Sequence, residues 1–211
     1  MNQDLQKYIE DHIDAEPENL HRLERRTNIH LVNGRMCSGH IQGRLLKMLV
    51  SMIAPKRVLE LGTFSGYSAL CIAEALEEDA TVVTVEADDE LEDFIRGSLA
   101  QSPYGDKVTL EIADALSYCK SLPSDSFDLI FIDADKRQYA AYYEETLRVL
   151  RPGAFIIADN TLWDGHVVEP DHFRDHQTAG IREFNDLVAA DPRVEKVIIP
   201  LRDGLTLIRK L

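Results

Sequence analysis

The chain has 211 residues, of which 45% are hydrophobic and 28% are charged, a balance typical of a globular protein with one sizeable core. Its formal net charge is −14, which disfavours nucleic acid as a partner because the phosphates would be repelled. No apolar run approaches the length of a membrane helix, and the acidic start MNQDLQKYIE is unlike a targeting signal. The three scattered cysteines are typical of reduced thiols. We therefore expect a cytoplasmic protein without membrane association.

Residues 2–53 have a helical pattern, interrupted near Pro17 and around the stretch NIHLVNGRMCSGH. The last helix of this region ends before Pro55. Helical spacing gives it one apolar face. The residues on this face are Ile41, Leu45, Met48, Leu49 and Met52. We interpret residues 1–54 as a helical N-terminal arm of a single domain that spans residues 1–211.

From residue 55 onward, apolar runs alternate with amphipathic helical segments. The runs are RVLEL, TVVTVE, KVTLEI, FDLIFID and AFIIAD. This alternation predicts parallel strands with helices on both faces of the sheet. The last two runs, VEKVIIPL and GLTLIRK, are joined by RDG, which leaves no room for a crossover helix and predicts an antiparallel hairpin. The predicted fold is a doubly wound, Rossmann-like α/β core over residues 55–211, with a mostly parallel seven-stranded sheet and an antiparallel C-terminal hairpin strand.

Two glycines bound the turn after the first strand, in the stretch LELGTFSGYSAL. Glycine allows the backbone to approach a ligand, and the helix that follows offers unpaired N–H groups. The spacing G-x-x-x-G lacks the pattern of a dinucleotide pyrophosphate site and favours a ligand without phosphates at this point. A plain strand-to-helix turn explains the same spacing equally well.

Acidic residues follow the second and third strands. Glu86 comes 20 residues after Gly66, where α/β nucleotide sites have a carboxylate on the ribose hydroxyls. The alternative is an acid that complements a helix N-terminus. After the third strand, Asp114 and Ala115 are in the position that flanks an adenine edge.

The fourth and fifth strands are followed by Asp133, Lys136 and the pair Asp159-Asn160. Neighbouring parallel strands can bring these oxygens together at one edge of the sheet. Two carboxylates and an amide oxygen are hard ligands that suit Mg²⁺, with Mn²⁺ or Ca²⁺ as alternatives. Acids after strands also cap helices, but the whole combination favours a metal site.

Together these segments resemble the cation-dependent O-methyltransferases of the catechol and caffeoyl-CoA type, which use S-adenosylmethionine. The stretches that carry the resemblance are LELGTFSGYSAL, VEADDE, FDLIFIDADKRQY, GAFIIADNTLWDGHV and IPLRDGLTLIRK. Their order and spacing cover roughly residues 30–211. The resemblance implies transfer of a methyl group to a hydroxyl of an ortho-dihydroxy aromatic acceptor, in an enzyme that forms a homodimer.

The resemblance also implies roles for individual residues. Lys136 would be the catalytic base, and the metal ligands would be Asp133, Asp159 and Asn160. Trp163 would form part of the acceptor site. The residues expected to bind the cofactor are Met36, Glu60, Gly62, Phe64, Gly66, Ser68, Glu86, Asp114, Ala115 and Asp133.

Other interpretations remain open at this stage. Some relatives methylate a modified uridine in tRNA, although the net charge of −14 counts against such an acceptor. A protein that binds S-adenosylmethionine without turnover is a second alternative. His172 and His176 lie four residues apart and could share a helix face as zinc ligands do. With no suitably spaced third ligand after them, they are interpreted as surface residues.

Overall fold

The structure, a computed structural model, describes residues 3–211. The first two residues of the predicted arm therefore lie outside the described residues. The helices are α1 (Gln3–Glu10), α2 (Glu18–His30), α3 (Gly39–Ile53), α4 (Tyr67–Ala75), α5 (Glu92–Ala100), α6 (Ala115–Ser121), α7 (Tyr139–Val149) and α8 (His176–Ala190). The strands are β1 (Arg57–Leu61), β2 (Thr81–Glu86), β3 (Val108–Ile112), β4 (Phe127–Ile132), β5 (Leu150–Asp159), β6 (Val194–Ile199) and β7 (Leu205–Lys210).

Within residues 3–211, seven strands form one mixed sheet in the order β3-β2-β1-β4-β5-β7-β6. The pairs β2/β3, β1/β4 and β4/β5 are parallel. β7 pairs antiparallel with both β5 and β6. The predicted α/β fold with a mostly parallel sheet and an antiparallel C-terminal hairpin is confirmed. The predicted interruptions of the N-terminal helices also match the gaps between α1, α2 and α3.

The buried face of α3 differs from the apolar face that helical spacing suggested. Met48 and Met52 are 55% and 76% exposed. The buried side instead carries Gln42, Gly43, Arg44, Leu46 and Val50. On this side Leu46 and Val50 are fully buried, and the Arg44 guanidinium pairs with the Glu74 carboxylate of α4 at 2.6 Å. The inward face of α3 therefore combines apolar side chains with a buried ion pair.

The described chain packs as two compact units. The first comprises the residues up to Lys56 together with Thr63–Ile112, and the second comprises Arg57–Gly62 together with Ala113–Leu211. One buried apolar cluster of the first unit contains Leu20, Leu23, Cys37, Tyr67, Leu70, Cys71, Ile95, Leu99 and Leu110. The second unit contains an aromatic cluster in which the ring of Phe184 lies edge-on to Tyr139 and Tyr143, with centroids 5.5 and 5.9 Å away. The prediction of one domain, with an arm and a core, stays a prediction.

Among residues 3–211, none of the helices combines the length and the apolar composition that a membrane crossing requires.

In the second unit, α8 packs directly on the backbone of the short 3₁₀ turn Lys136–Gln138. Gly180 of α8 makes this approach possible, because a Cβ atom at this position would overlap the carbonyl oxygen of Lys136 and the Cα of Arg137. Backbone cannot move aside as a flexible side chain can. This glycine therefore determines how closely α8 supports the turn that carries Lys136.

We expect Gly180→Ala to lower the free energy of unfolding by about 1–3 kcal/mol, the usual cost of overpacking. The matched control is Gly97→Ala in α5, where a Cβ would meet no atom within 4 Å and should instead stabilise the helix by about 0.5–1 kcal/mol. Urea unfolding measures both. Equal effects of the two substitutions would contradict the packing role of Gly180.

Candidate active site

Lys136 and Asp133 form a largely buried ion pair just beyond the end of β4. The Lys136 Nζ donates a hydrogen bond to Asp133 Oδ1 at 2.5 Å, and Lys136 is only 8% exposed. The backbone N–H of Asp133 donates to the carbonyl oxygen of Leu61 at the end of β1. Asp135 caps the turn that begins at Lys136 by accepting a hydrogen bond from the N–H of Arg137. Hydrogen bonds at Asp133 and at the turn after Asp135 thus fix the backbone that carries both charged groups.

A buried tyrosine that sequence reasoning missed completes the surroundings of Lys136. The Lys136 Nζ also donates to the hydroxyl of Tyr139, which is 3.0 Å away. This hydroxyl in turn donates to the carbonyl oxygen of Asp159, which is 3.0 Å away. The carbonyl oxygen of Ile132, 3.3 Å away, is a second and more distant acceptor. Tyr139 stands three residues after Lys136 in the first turn of α7, and its sequence position alone is equally consistent with a packing role.

The charges of this cluster keep Lys136 protonated. Burial alone would lower the pKa of its ammonium, but the Asp133 carboxylate and the Tyr139 hydroxyl outweigh burial and raise this pKa. Burial raises the pKa of Tyr139, so its phenol is neutral and can donate a proton in a hydrogen bond. The site therefore contains a lysine that donates to a carboxylate and to a neutral hydroxyl.

Asp159 and Asn160 lie next to this cluster because of the register between β4 and β5. Ile132 pairs with Ala158 in the parallel ladder, so Asp133 and Asp159 follow at the same edge. Asp159 is 4% exposed, and its Oδ1 accepts the N–H of Asn160 at 2.8 Å. Asn160 has a φ of 59°, a left-handed conformation that asparagine tolerates better than most residues.

The donor set of these strand ends fits a hard divalent cation. Asp133 and Asp159 supply carboxylate oxygens, and Asn160 supplies an amide oxygen. Oxygen donors of this kind suit Mg²⁺, Mn²⁺ or Ca²⁺ and suit thiophilic metals poorly. The structure thus brings the predicted ligands to neighbouring positions, while their role as ligands stays a prediction.

A pair of carboxylates, also missed from the sequence, lies beside Asn160. Burial and a hydrogen bond with Asp164 raise the pKa of Asp203, against the opposing effects of Arg202 and Asn160. The carbonyl oxygen of Asp203 accepts the N–H of Trp163 at 3.1 Å. The turn that carries Trp163 is therefore fastened to the loop between β6 and β7. The contact of Trp163 with an acceptor stays a prediction.

Gly62 is required by the packing of the strand ends in the second unit. Its φ is 93°, and a Cβ would overlap the carbonyl group of Asp133. The close approach of the ends of β1 and β4 therefore demands glycine, whatever the ligand. Glu60, two residues earlier on β1, is fully buried.

Asp114 and Ala115 stand at the start of α6. The Asp114 side chain caps this helix by accepting the N–H of Ser117 at 2.9 Å. Hydrogen bonds from the hydroxyl and from the backbone N–H of Ser117 lower the pKa of Asp114. Ala115 is buried. The helix cap accounts for the acid at position 114, and the predicted contact of both residues with adenine stays a prediction.

In the first unit, Glu86 holds the turn that follows β1. Its Oε2 accepts the N–H of Phe64 at 2.8 Å, and its Oε1 accepts the N–H of Asp88 at 2.9 Å. Phe64 has a φ of 50°, so this contact fixes a left-handed residue. A carboxylate oxygen has two lone pairs, and each oxygen of Glu86 can accept a further hydrogen bond, such as one from a ribose hydroxyl.

The other predicted cofactor residues of the first unit are Gly66 and Ser68, at the start of α4, and Met36, which lies before α3 in the chain. Gly66, with a φ of 86°, precedes the first residue of α4, and Ser68 is buried in its first turn. Met36 ends a 3₁₀ turn, Gly34–Met36, and is 52% exposed. Their cofactor contacts stay predictions.

Known proteins resemble this chain over nearly its whole length. Residues 10–211 match the family model described as O-methyltransferase. Caffeoyl-CoA O-methyltransferase 2 of Zea mays is 36% identical over 99% of this chain and 83% of its own length. Among solved structures, the O-methyltransferase TomG of Streptomyces achromogenes in complex with S-adenosylmethionine (SAM) is 28% identical with a TM-score of 0.90, covering 100% of this chain and 99% of that one. The O-methyltransferase of Bacillus cereus in complex with S-adenosylhomocysteine (SAH) is 29% identical with the same TM-score, 0.90, covering 99% and 97%.

We expect Tyr139→Phe to lower the free energy of unfolding by about 1–3 kcal/mol, because it removes the hydroxyl partner of the buried Lys136 and of the Asp159 carbonyl. The matched control is Tyr142→Phe on the same helix. Tyr142 is also buried, but within residues 3–211 its hydroxyl has no hydrogen bond. Thermal and urea unfolding compare the two variants. A loss for Tyr139→Phe no larger than for Tyr142→Phe would contradict the role assigned to the hydroxyl.

Proposed function

Because this chain belongs to the O-methyltransferase family and is a SAM-dependent enzyme, we propose that it methylates one hydroxyl of a small aromatic acceptor with two adjacent hydroxyls. We further propose that the reaction depends on a divalent cation, with Mg²⁺ first and Mn²⁺ or Ca²⁺ as alternatives. The observation that carries this proposal is the hard oxygen set beside a buried lysine at the ends of β4 and β5.

Asp133, Asp159 and Asn160 would hold the cation. When bound, a divalent cation at such a site lowers the pKa of a coordinated hydroxyl and orients two adjacent oxygens. An ortho-dihydroxy aromatic offers that pair of oxygens. The maize relative is named for caffeoyl-CoA, whose caffeoyl group carries adjacent phenolic hydroxyls. The indole of Trp163, three residues beyond Asn160, would contact the acceptor ring.

Lys136 would accept the proton of the acceptor hydroxyl as a general base. Its ammonium is held charged by the Asp133 carboxylate, which lies 2.5 Å away. The base role requires the neutral amine, which a cation held by the Asp133 carboxylate would favour because it offsets the negative charge that keeps the ammonium protonated. The Tyr139 hydroxyl keeps the amine in position from the other side, 3.0 Å away.

The chain would bind SAM through the residues that the sequence pattern identified. Glu86 would accept hydrogen bonds from the ribose, while Asp114 and Ala115 would contact the adenine. The methionine end would contact Glu60, Gly62, Gly66 and Ser68. Phe64 and Asp133 would also contact the cofactor, and Met36 would close over it. Alignment of the acceptor oxygen, methyl carbon and sulfur is worth up to about 7–11 kcal/mol in ideal cases.

A tRNA acceptor is the alternative, and the net charge of −14 disfavours it because a polyanion would be repelled. The homodimer and the cytoplasmic location stay predictions.

We expect methyl transfer from SAM to simple catechols in the presence of Mg²⁺, measured by the mass of the product. Removal of the cation with a chelator should abolish the product, and added Mg²⁺ should restore it. Product formation that survives the chelator would refute the metal mechanism. No catechol product from protein that binds SAM, together with methylation of tRNA, would refute the proposed acceptor.

We expect Lys136→Met to lower kcat by about 10²–10⁴-fold, the usual contribution of a general base, while SAM binding measured by calorimetry is unchanged. Methionine retains most of the lysine stem, and the neutral side chain suits the buried position. The matched control is Lys120→Met at the exposed end of α6, which should leave kcat unaltered. An unchanged kcat in Lys136→Met would exclude the base role.

A further inference from the structure

Two histidines and one glutamate converge in the segment between β5 and α8, at a place that the proposed reaction does not use. The Nδ1 of His166 lies 2.9 Å from Glu169 Oε2, and the Nε2 of His172 lies 3.4 Å from the same oxygen. The two imidazole rings are stacked, with centroids 3.8 Å apart and planes inclined by 20°. One ligand atom from each residue lies within 4.8 Å of the other two.

The convergence follows from two successive hydrogen-bonded turns of the backbone. His166, Glu169 and His172 are spaced three residues apart. His166 lies in the 3₁₀ segment Trp163–Val168, which is kinked at Asp164 and Gly165, and His172 ends the 3₁₀ turn Pro170–His172. Glu169 joins the two segments in an extended conformation, with φ −99° and ψ 110°. The backbone N–H of Glu169 donates to the His166 carbonyl, and that of His172 donates to the Glu169 carbonyl. The sequence pattern H-x-x-E-x-x-H thus stacks three ligands on one side.

This segment is anchored to α8 on both sides of the cluster. Arg182 of α8 donates from its guanidinium to the carbonyl oxygen of Val167 at 2.5 Å. The same guanidinium lies 3.7 Å over the ring of Phe173. One arginine therefore holds the residue after His166 and the residue after His172. This anchoring reduces the conformational entropy that three ligands would lose on binding an ion.

We propose that His166, Glu169 and His172 form a second cation site, which binds Zn²⁺. Two imidazole nitrogens and one carboxylate oxygen are the donor set of three-ligand zinc sites, which leave a further coordination position open. The side chains of His166, His172 and Glu169 are 33%, 44% and 53% exposed, so an ion can reach them from solvent. In the metal-free protein an imidazole N–H donates to Glu169, and Zn²⁺ would bind the same nitrogen in the tautomer whose proton lies on the other ring nitrogen.

The proposed zinc site differs in ligand chemistry from the oxygen set of Asp133, Asp159 and Asn160. Mg²⁺ prefers oxygen ligands and keeps several waters, whereas imidazole suits zinc. Excess Mg²⁺ can therefore occupy the oxygen set without competing for the histidines. Binding is read without methyl transfer, so this proposal can fail or succeed independently of the proposed reaction.

The test is a calorimetric titration of the full-length protein with Zn²⁺ in the presence of excess Mg²⁺. We expect one zinc ion per chain, and affinity at least about tenfold weaker in His172→Ala and in Glu169→Gln, as for loss of a metal-site interaction. The matched control is His176→Ala, which removes the exposed histidine four residues further on and should bind as the unaltered protein does. Zinc should also raise the unfolding temperature of the unaltered protein and not that of His172→Ala.

Circular dichroism confirms that each variant is folded, and His166→Gln provides an independent variant if His172→Ala is not. Substitution with Co²⁺ adds a spectroscopic reading, since imidazole ligation at low coordination number gives intense visible absorption. Unchanged zinc affinity in the folded His172→Ala or His166→Gln variant would overturn the proposal. Equal weakening in His176→Ala, or absence of zinc binding in the unaltered protein, would overturn it as well.

Discussion

The buried ion pair between Lys136 and Asp133 is the interaction on which the site in the second unit depends. A buried ammonium is stable only with a partner, and removal of one member of such a pair typically costs about 3–5 kcal/mol. The carboxylate of Asp133 and the hydroxyl of Tyr139 are the partners here. Gly62 and Gly180 let β1 and α8 approach the backbone on either side of the pair. The surrounding packing therefore serves to hold one charged nitrogen in one place.

Acidic residues that look alike in the sequence have different roles in the structure. Asp88, Asp114, Asp135 and Asp175 cap helices or 3₁₀ turns through backbone N–H groups. Asp133 instead pairs with a lysine, and the Asp159 carboxylate accepts the N–H of Asn160. The caps stabilise local structure, whereas the other two carboxylates lie at the edge of the sheet where the cation site is proposed.

Two donor sets in the same unit arise in different ways. The oxygens of Asp133 and Asp159 come together because parallel register aligns the ends of β4 and β5. The nitrogens of His166 and His172 come together through two successive turns, each closed by a backbone hydrogen bond between residues three apart. The first set depends on residues distant in the chain, while the second is local. Their different ligand chemistry would separate magnesium from zinc within one small unit.

The sequence by itself determined the order of helices and strands, the C-terminal hairpin and the acids at the strand ends, because hydrophobic period and turn residues act over short distances. It also identified Asp133, Lys136, Asp159 and Asn160 as a group, through their positions after successive strands. Only the tertiary structure decided that Tyr139 supports Lys136 and that Arg44, paired with Glu74, lies on the buried face of α3. It also decided that His172 faces His166 and not His176. These contacts depend on which groups meet through space and on the local helix type, neither of which a periodic pattern of apolar residues records.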